Sequence, residues 1–336
     1  MNTMPFEPGN QTRVLSDSDV RQVFRWELAI TALREAYRRP PAHAAYPRRT
    51  IARGDGAWLR MMGGIADRTV MGAKLIAGSP QSRRFAYLIP LFEQASADLV
   101  GLLDGNAITG FRTAATSALA ADLLAPGGGV TVGMIGSGFE ARHHLRALAS
   151  VRQIDEAFVF SPNPESRARF IADMADLPFP VREAESAEAV ARASGVVICA
   201  ARARGEVPIL HGEWLGEGKT VVSIGSTVPE QREVATSVVA CAHLIVADVV
   251  DEVVEESGDM IAAVEDGISF EEKTWALADV VRGCHPGRTN DRQTIVYKSV
   301  GSAMQDIVVA EACLNEAAAR SIGNLVALGI NAVRKG

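Results

Sequence analysis

The sequence is poor in cysteine, and its four cysteines, Cys199, Cys241, Cys284 and Cys313, lie far apart with no CxxC pair. That argues against a disulfide framework or a structural zinc site and predicts buried, reduced thiols. Long apolar runs are missing too: none reaches the roughly 18 residues of a membrane span. The N-terminal MNTMPFEPGNQTRVL has no basic region followed by an apolar one, so it does not read as a signal peptide. Nor is positive charge in surplus. The net charge is −6, and Pro47-Arg48-Arg49 is too short a cluster for a nucleic-acid patch. Neither nucleic acid nor an anionic membrane is an expected partner. What is left is a cytoplasmic chain of ordinary globular composition, 48% hydrophobic over 336 residues. That is enough for two domains, or for one large α/β unit with an appendage.

The first 110 or so residues are mixed. Ser16-Asp17 predicts the start of a helix that runs to about Arg39 and stops at Pro40-Pro41. The segments TIAR, AWLRMM, MGAKLIAG, FAYLIPLFE and DLVGLLDG follow, set apart by turn signals such as Asp55-Gly56 and Asp104-Gly105. They predict an antiparallel meander. From Arg112 the run RTAATSALAADLLA has helical spacing. The apolar runs VTVGMIG, AFVFS, VVICA, TVVSIG, LIVADV and TIVYKS then alternate with helical stretches. Such runs suit a parallel sheet covered on both faces. From Gly301 to about Val333 the pattern reads mostly as helix.

Within the first of those alternations, Gly136, Gly138 and Ala141 form G-x-G-x-x-A between a strand and a helix. Gly136 allows the tight turn, Gly138 lets a pyrophosphate approach the backbone, and Ala141 permits close helix–strand packing. The free N–H groups and dipole of the helix N-terminus favour the phosphates. At the end of the next strand, FVFSPNPESR, no acid stands where an adenosine ribose would lie, and Glu165 is too far along. Ser161, Asn163 and Arg167 suit a 2′-phosphate instead, so NADP(H) is favoured over NAD(H).

Three cations interrupt apolar stretches: Arg60, Lys74 and Arg112. A buried cation is costly unless paired. Lys74 and Arg112 are therefore either structural ion pairs or ligand contacts, and spacing alone does not decide between them.

The run LDGNAITGFRTAATSALAADLL resembles the signature of the ornithine cyclodeaminase/μ-crystallin family. The order of RTI, AKL, GMIGSGFEA, GEWLGEGKTVVSIGSTVPEQRE and VYKSVGSAMQDIVVA is similar as well, and the likeness covers nearly the whole chain. It implies a doubly wound, Rossmann-type parallel sheet inserted into a mixed α+β domain that binds substrate and forms a homodimer. The expected division is 1–119 with 310–336 for the mixed domain and 120–309 for the NAD(P)-binding domain. It implies an amino-acid, keto-acid or cyclic-imine substrate. Residue by residue, Arg49 and Arg112 resemble the carboxylate anchors, with Arg60 a further substrate contact, and Lys74 resembles the proton relay. Arg112, Thr113, Gly136, Ser137, Gly138, Phe139, Glu140, Ala200, Gly225, Ser226, Thr227 and Ser299 fall at cofactor-contacting positions.

Two departures matter. Cyclodeaminases of the family carry an Asp in a GGD-type motif, and here Thr227 takes that place in IGSTVPEQRE. A hydroxyl cannot serve as a carboxylate base, and Glu230 and Glu233 are displaced by three and six residues. The local sequence is closer to the μ-crystallin-like imine reductases. RMMGGIA also replaces the usual Met-Pro-Ala turn after Arg60. The leading expectation is an NAD(P)-dependent oxidoreductase that reduces a carboxylated imine or oxidises the corresponding amino acid. The alternatives are ornithine cyclodeamination, with no net cofactor change, and a non-catalytic small-molecule binding protein.

Overall fold

The Asp-Gly turns and short extended runs of the first hundred residues form one sheet, and the apolar runs after them form another. The structure, a computed structural model, describes residues 11–40, 45–66, 69–201 and 204–333. The chain divides into two compact units, Met1–Arg112 with Ser302–Gly336, and Thr113–Gly301.

The first unit begins with β1 (Thr12–Leu15), α1 (Asp17–Val23) and α2 (Trp26–Arg38). Ser16 and Asp19 close a capping box on α1. The single helix expected from Ser16 to Arg39 is in fact two. Phe24 and Arg25 are extended between them. Phe24 stacks on Phe111 at 4.1 Å, and Trp26 meets the same ring edge-on. Aromatic packing thus overrides local helix propensity. The meander follows as β2 (Thr50–Gly54), β3 (Ala57–Ile65), β4 (Val70–Ser79), β5 (Arg84–Glu93) and β6 (Leu99–Asp104), all antiparallel neighbours. α3 (Asn106–Leu124) starts six residues before the expected Arg112. Asp104 Oδ1 accepts from Asn106 N at 2.8 Å and Asp17 Oδ1 from Ala107 N at 3.1 Å, satisfying two early helix donors.

The first unit is completed by the end of the chain. α11 (Ala303–Ala319), capped by Ser302 and Gln305, packs on β3, β4, β5 and α2. The helix expected to reach Val333 ends at Ala319. Ser321 and Gly323 take positive φ, and β15 (Asn324–Val326) pairs antiparallel with β1. β1 lies parallel to β6, so the sheet order is β15-β1-β6-β5-β4-β3-β2.

The second unit holds an all-parallel sheet of β7 (Val130–Ile135), β8 (Ile154–Phe160), β9 (Val181–Glu183), β10 (Val196–Cys199), β11 (Thr220–Ser223), β12 (Leu244–Ala247), β13 (Thr274–Ala276) and β14 (Ile295–Lys298). The order is β13-β12-β14-β11-β10-β7-β8-β9. The chain reverses direction across the sheet at β7 and β10, the switch point of doubly wound sheets. Every position of β10, β11, β12 and β14 is buried, so both faces are covered. β9 and β13, three-residue edge strands, were not expected. The helices of this unit after α3 are α4 (Phe139–Ala149), α5 (Pro164–Asp173), α6 (Ala187–Ala193), α7 (Thr236–Cys241), α8 (Val250–Glu256), α9 (Gly258–Glu265) and α10 (Leu277–Val281).

Of the thiols, Cys199 and Cys313 are buried as expected, whereas Cys241 and Cys284 are exposed. Both exposed residues lie at or beyond the C-terminal ends of short helices. Among the described residues no helix is long and apolar enough to cross a membrane.

Candidate functional site

The site residues expected from the sequence fall into two groups, one in each unit. In the first unit, strand register aligns the cations. Ile51 lies opposite Arg60, Arg60 opposite Ile76, and Met62 opposite Lys74. Alternation therefore puts Arg60 and Lys74 on one face, with Arg49, one residue before β2, in phase with Ile51. RMMGGI makes no turn and continues β3. Arg60 is half-buried, with its guanidinium 5.8 Å from the Trp58 ring centroid.

α3 and α11 bring the remaining groups to this site. Lys74 is 1% exposed and donates from Nζ to Asp306 Oδ1 at 2.8 Å. The same oxygen accepts from Arg112 Nε at 3.0 Å. Arg112 Nη1 donates to Gln305 Oε1 at 2.8 Å, and Gln305 Nε2 donates to Tyr37 Oη at 2.8 Å. Burial pulls the Lys74 ammonium down to about 8, opposed by Asp306 and assisted by Arg112 and Arg60. Sequence reasoning singled out both cations but missed Asp306, which lies 232 residues from Lys74.

In the second unit, Gly136 takes φ +119°, and a Cβ there would lie 2.5 Å from the Ala200 carbonyl oxygen. Gly138 caps α4 (Phe139–Ala149) without a side-chain hydrogen bond, and a Cβ there would meet nothing within 4 Å. Ala141 is fully buried. The loop is therefore tight beneath and open at Gly138. Phe139 is exposed and sits against His143, while Glu140 opens the helix beside it.

Ser137 Oγ lies 2.7 Å from Ser161 Oγ and 2.8 Å from Ser166 Oγ, a cluster of three hydroxyls at the end of β8. Asn163 caps α5 (Pro164–Asp173) by accepting from Ser166 N. Arg167 is engaged within the fold. Its Nε donates to Glu183 Oε1 at 2.7 Å, and Nη1 donates to the Ser161 carbonyl. Thr113 follows Arg112 on α3 and belongs to this unit.

The loop after β11 hangs on a buried network that the sequence did not announce. Glu233 Oε2 accepts from Ser223 Oγ at 2.6 Å and Gly225 N at 2.9 Å. Lys298 donates to Ser223 Oγ and to Asp259 Oδ2, each at 2.7 Å. Asp259 Oδ1 accepts from the Glu233 and Val234 amides, and Asp259 N donates to Ser226 Oγ. Lys298 interrupts an apolar strand as Lys74 does, and that was the available signal. Burial raises the Glu233 carboxyl to about 7, against the pull of Lys298, Ser223 and Gly225. Thr227 donates from N and Oγ1 to Gln231 Oε1 at 3.0 and 3.1 Å. Glu230 is exposed. Ser299 Oγ donates to Asp248 Oδ2 at 2.7 Å, and the Val300 and Gly301 amides close on the same carboxylate.

Residues 10–321 match the profile of the ornithine cyclodeaminase/mu-crystallin family. Iminosuccinate reductase of Paracoccus denitrificans is 25% identical over 322 residues, covering 93% of this chain and 99% of the relative. Mouse ketimine reductase mu-crystallin is 30% identical over 221 residues, 66% of each chain. The solved Thermococcus litoralis Δ1-pyrroline-2-carboxylate reductase, in complex with NADH and L-proline, superposes with a TM-score of 0.86 at 27% identity. It covers 94% of this chain and is itself covered completely.

Proposed function

Because the chain belongs to the ornithine cyclodeaminase/mu-crystallin family, we propose that it is an NAD(P)-dependent oxidoreductase that reduces a C=N bond beside a carboxylate, or oxidises the corresponding amino acid. The observation that carries this reading is Lys74, a buried amine poised near 8 beside Arg112.

The residues present fit a nicotinamide dinucleotide. The open backbone at Gly138 and the uncapped first turn of α4 suit a pyrophosphate. The hydroxyls of Ser137, Ser161 and Ser166, with no acid at the end of β8, favour NADP(H) over NAD(H). In this reading Thr113, Phe139, Glu140, Ala200, the Gly225–Thr227 loop and Ser299 complete the cofactor contacts. When bound, the nicotinamide supplies or accepts the hydride.

The chain's own groups do the rest. Arg49 and Arg112 hold the substrate carboxylate, with Arg60 adding positive charge. Lys74 holds a proton on Nζ, donates it toward the substrate nitrogen during reduction, and takes it back in the reverse direction. Thr227 argues against cyclodeamination, since its hydroxyl is bonded to Gln231 and carries no charge.

In this reading the mixed-sheet unit binds substrate and forms a homodimer, the parallel-sheet unit holds the cofactor, and the enzyme works in the cytoplasm. The face of the mixed sheet opposite Lys74 supports the dimer. Leu59, Met61, Ile65 and Leu88 share that face by register and are all exposed.

The test is NADPH and NADH oxidation with a panel of carboxylated cyclic imines, and with keto acids plus ammonia or amines. Stoichiometric cofactor consumption is expected, with NADPH preferred. Conversion of ornithine to proline and ammonia with no net cofactor change would overturn it.

A further inference from the structure

We propose that Asp306 is the positioning residue of this site, holding Lys74 as a proton donor and coupling it to Arg112 through one shared oxygen. This rests on the reading of Lys74 as the proton relay.

The geometry is specific. Lys74 Nζ lies 2.8 Å from both carboxylate oxygens, and the hydrogen bond runs to Oδ1, which also receives Arg112 Nε at 3.0 Å. Asp306 is fully buried. Its place is fixed from below: it is the fourth residue of α11, just after the Ser302–Gln305 capping box. Gln305, its neighbour, ties Arg112 Nη1 to Tyr37 on α2. Lys74, Arg112 and Tyr37 are thus gathered from β4, α3 and α2 onto one turn of one helix.

The electrostatics give that carboxylate its task. Two buried cations side by side repel each other, and a carboxylate between them offsets the repulsion. Among the described residues, the charges that act on Lys74 are Asp306 from α11, Arg112 from α3 and Arg60 from β3, with Tyr37 reached through Gln305. Arg49, before β2, and Tyr87, on β5 opposite Ile76, share the same sheet face. Asp306 is the anion among them. Burial, Arg112 and Arg60 all favour loss of the Lys74 proton, and Asp306 alone of these four opposes it.

The sign of the consequence follows. Without the carboxylate, Lys74 loses its proton at lower pH. Reduction needs the protonated amine, so its basic limb moves to lower pH. Oxidation needs the neutral amine, so its acidic limb moves the same way and activity extends to lower pH. A merely structural residue would depress both directions and move neither limb.

The experiment follows the pH dependence of Lys74 acetylation in the full-length protein by mass spectrometry, alongside kcat/KM in both directions. In Asp306→Asn the labelling midpoint should fall by at least one pH unit, and both limbs should move with it. Asp306→Glu should restore the midpoint toward wild type. Arg112→Gln should raise the midpoint, because it removes a cation and leaves the oxygen to Lys74. It reports on the same coupling even if Asp306→Asn does not fold. An unmoved midpoint in Asp306→Asn, or in Arg112→Gln, would overturn the proposal. Labelling needs no turnover, so a protein that reduces no imine yet shows these shifts would refute the reaction class and keep the role of Asp306.

Discussion

Gly136 sits so close to Ala200 that a Cβ on it would lie 2.5 Å from the Ala200 carbonyl oxygen. Two residues on, Gly138 has open space in the same direction. The two glycines should therefore fail differently when replaced. Gly136→Ala meets backbone at positive φ, at a cost of about 1–3 kcal/mol, and should lower the melting temperature. Gly138→Val should leave melting nearly unchanged and weaken the cofactor at least tenfold, about 1.4 kcal/mol. Calorimetry and a cofactor fluorescence titration separate the two. Unchanged cofactor affinity in Gly138→Val would remove the loop from the cofactor site.

Glu233 makes stability depend on pH in an unusual direction for a carboxylate. Burial raises it from 4.5 to about 7, so the folded chain holds the proton more tightly than the unfolded one. The contribution is fully present below the unfolded value and is lost as pH rises through the folded one. Over that window the slope approaches about 1.4 kcal/mol per pH unit. Glu233→Gln keeps an acceptor for the Gly225 amide and removes the ionisation. Urea unfolding from about pH 5 to 7 should be flatter in the variant than in wild type. Parallel slopes would show that Glu233 is already ionised in the folded chain.

Arg167 is held by Glu183, and a 2′-phosphate would have to share it. Arg167→Ala should weaken NADPH more than NADH, by about 1.5–3 kcal/mol if the contact is made. Glu183→Gln should instead tighten NADPH severalfold and leave NADH unaltered. Dissociation constants for both cofactors decide it. Equal losses in Arg167→Ala would make the residue a brace for the end of β8, and a wild type that prefers NADH would reverse the assignment.

Met61 and Leu88 both lie opposite Leu75 on the uncovered face of the mixed sheet. Glutamate at both positions should leave circular dichroism intact, since both are exposed in the single chain. If the proposed homodimer forms through this face, the change should also convert it to a monomer in light scattering, because two carboxylates would be desolvated in an apolar contact. A variant that keeps the wild-type mass would place the subunit contact elsewhere.

Much of this was legible in the sequence. The strands of the parallel sheet announce themselves because residues buried on both faces must be apolar, as in VVIC of β10. The G-x-G-x-x-A loop is legible because backbone conformation dictates its glycines. Lys74 and Arg112 stand out as cations in apolar company. The partners of these cations were not legible. Asp306 and Gln305 look like ordinary polar residues of an amphipathic helix, and only tertiary packing turns them inward. Glu233, Asp259 and Lys298 likewise converge from three separate elements. The break at Phe24 and the short strand β15 escaped for a related reason: Phe111 and β1 hold them, and neither is a local signal.

The pairing of Thr12 with Val326 bears on how the protein is made. β1 leaves the ribosome long before its partner β15, and α11, which covers the meander, is also translated late. Thr113–Gly301, by contrast, holds every strand of its own sheet within one continuous stretch. Vectorial synthesis therefore lets the parallel-sheet unit form while the mixed sheet still has a bare edge and an uncovered face. That interval is when the nascent chain is most prone to aggregate.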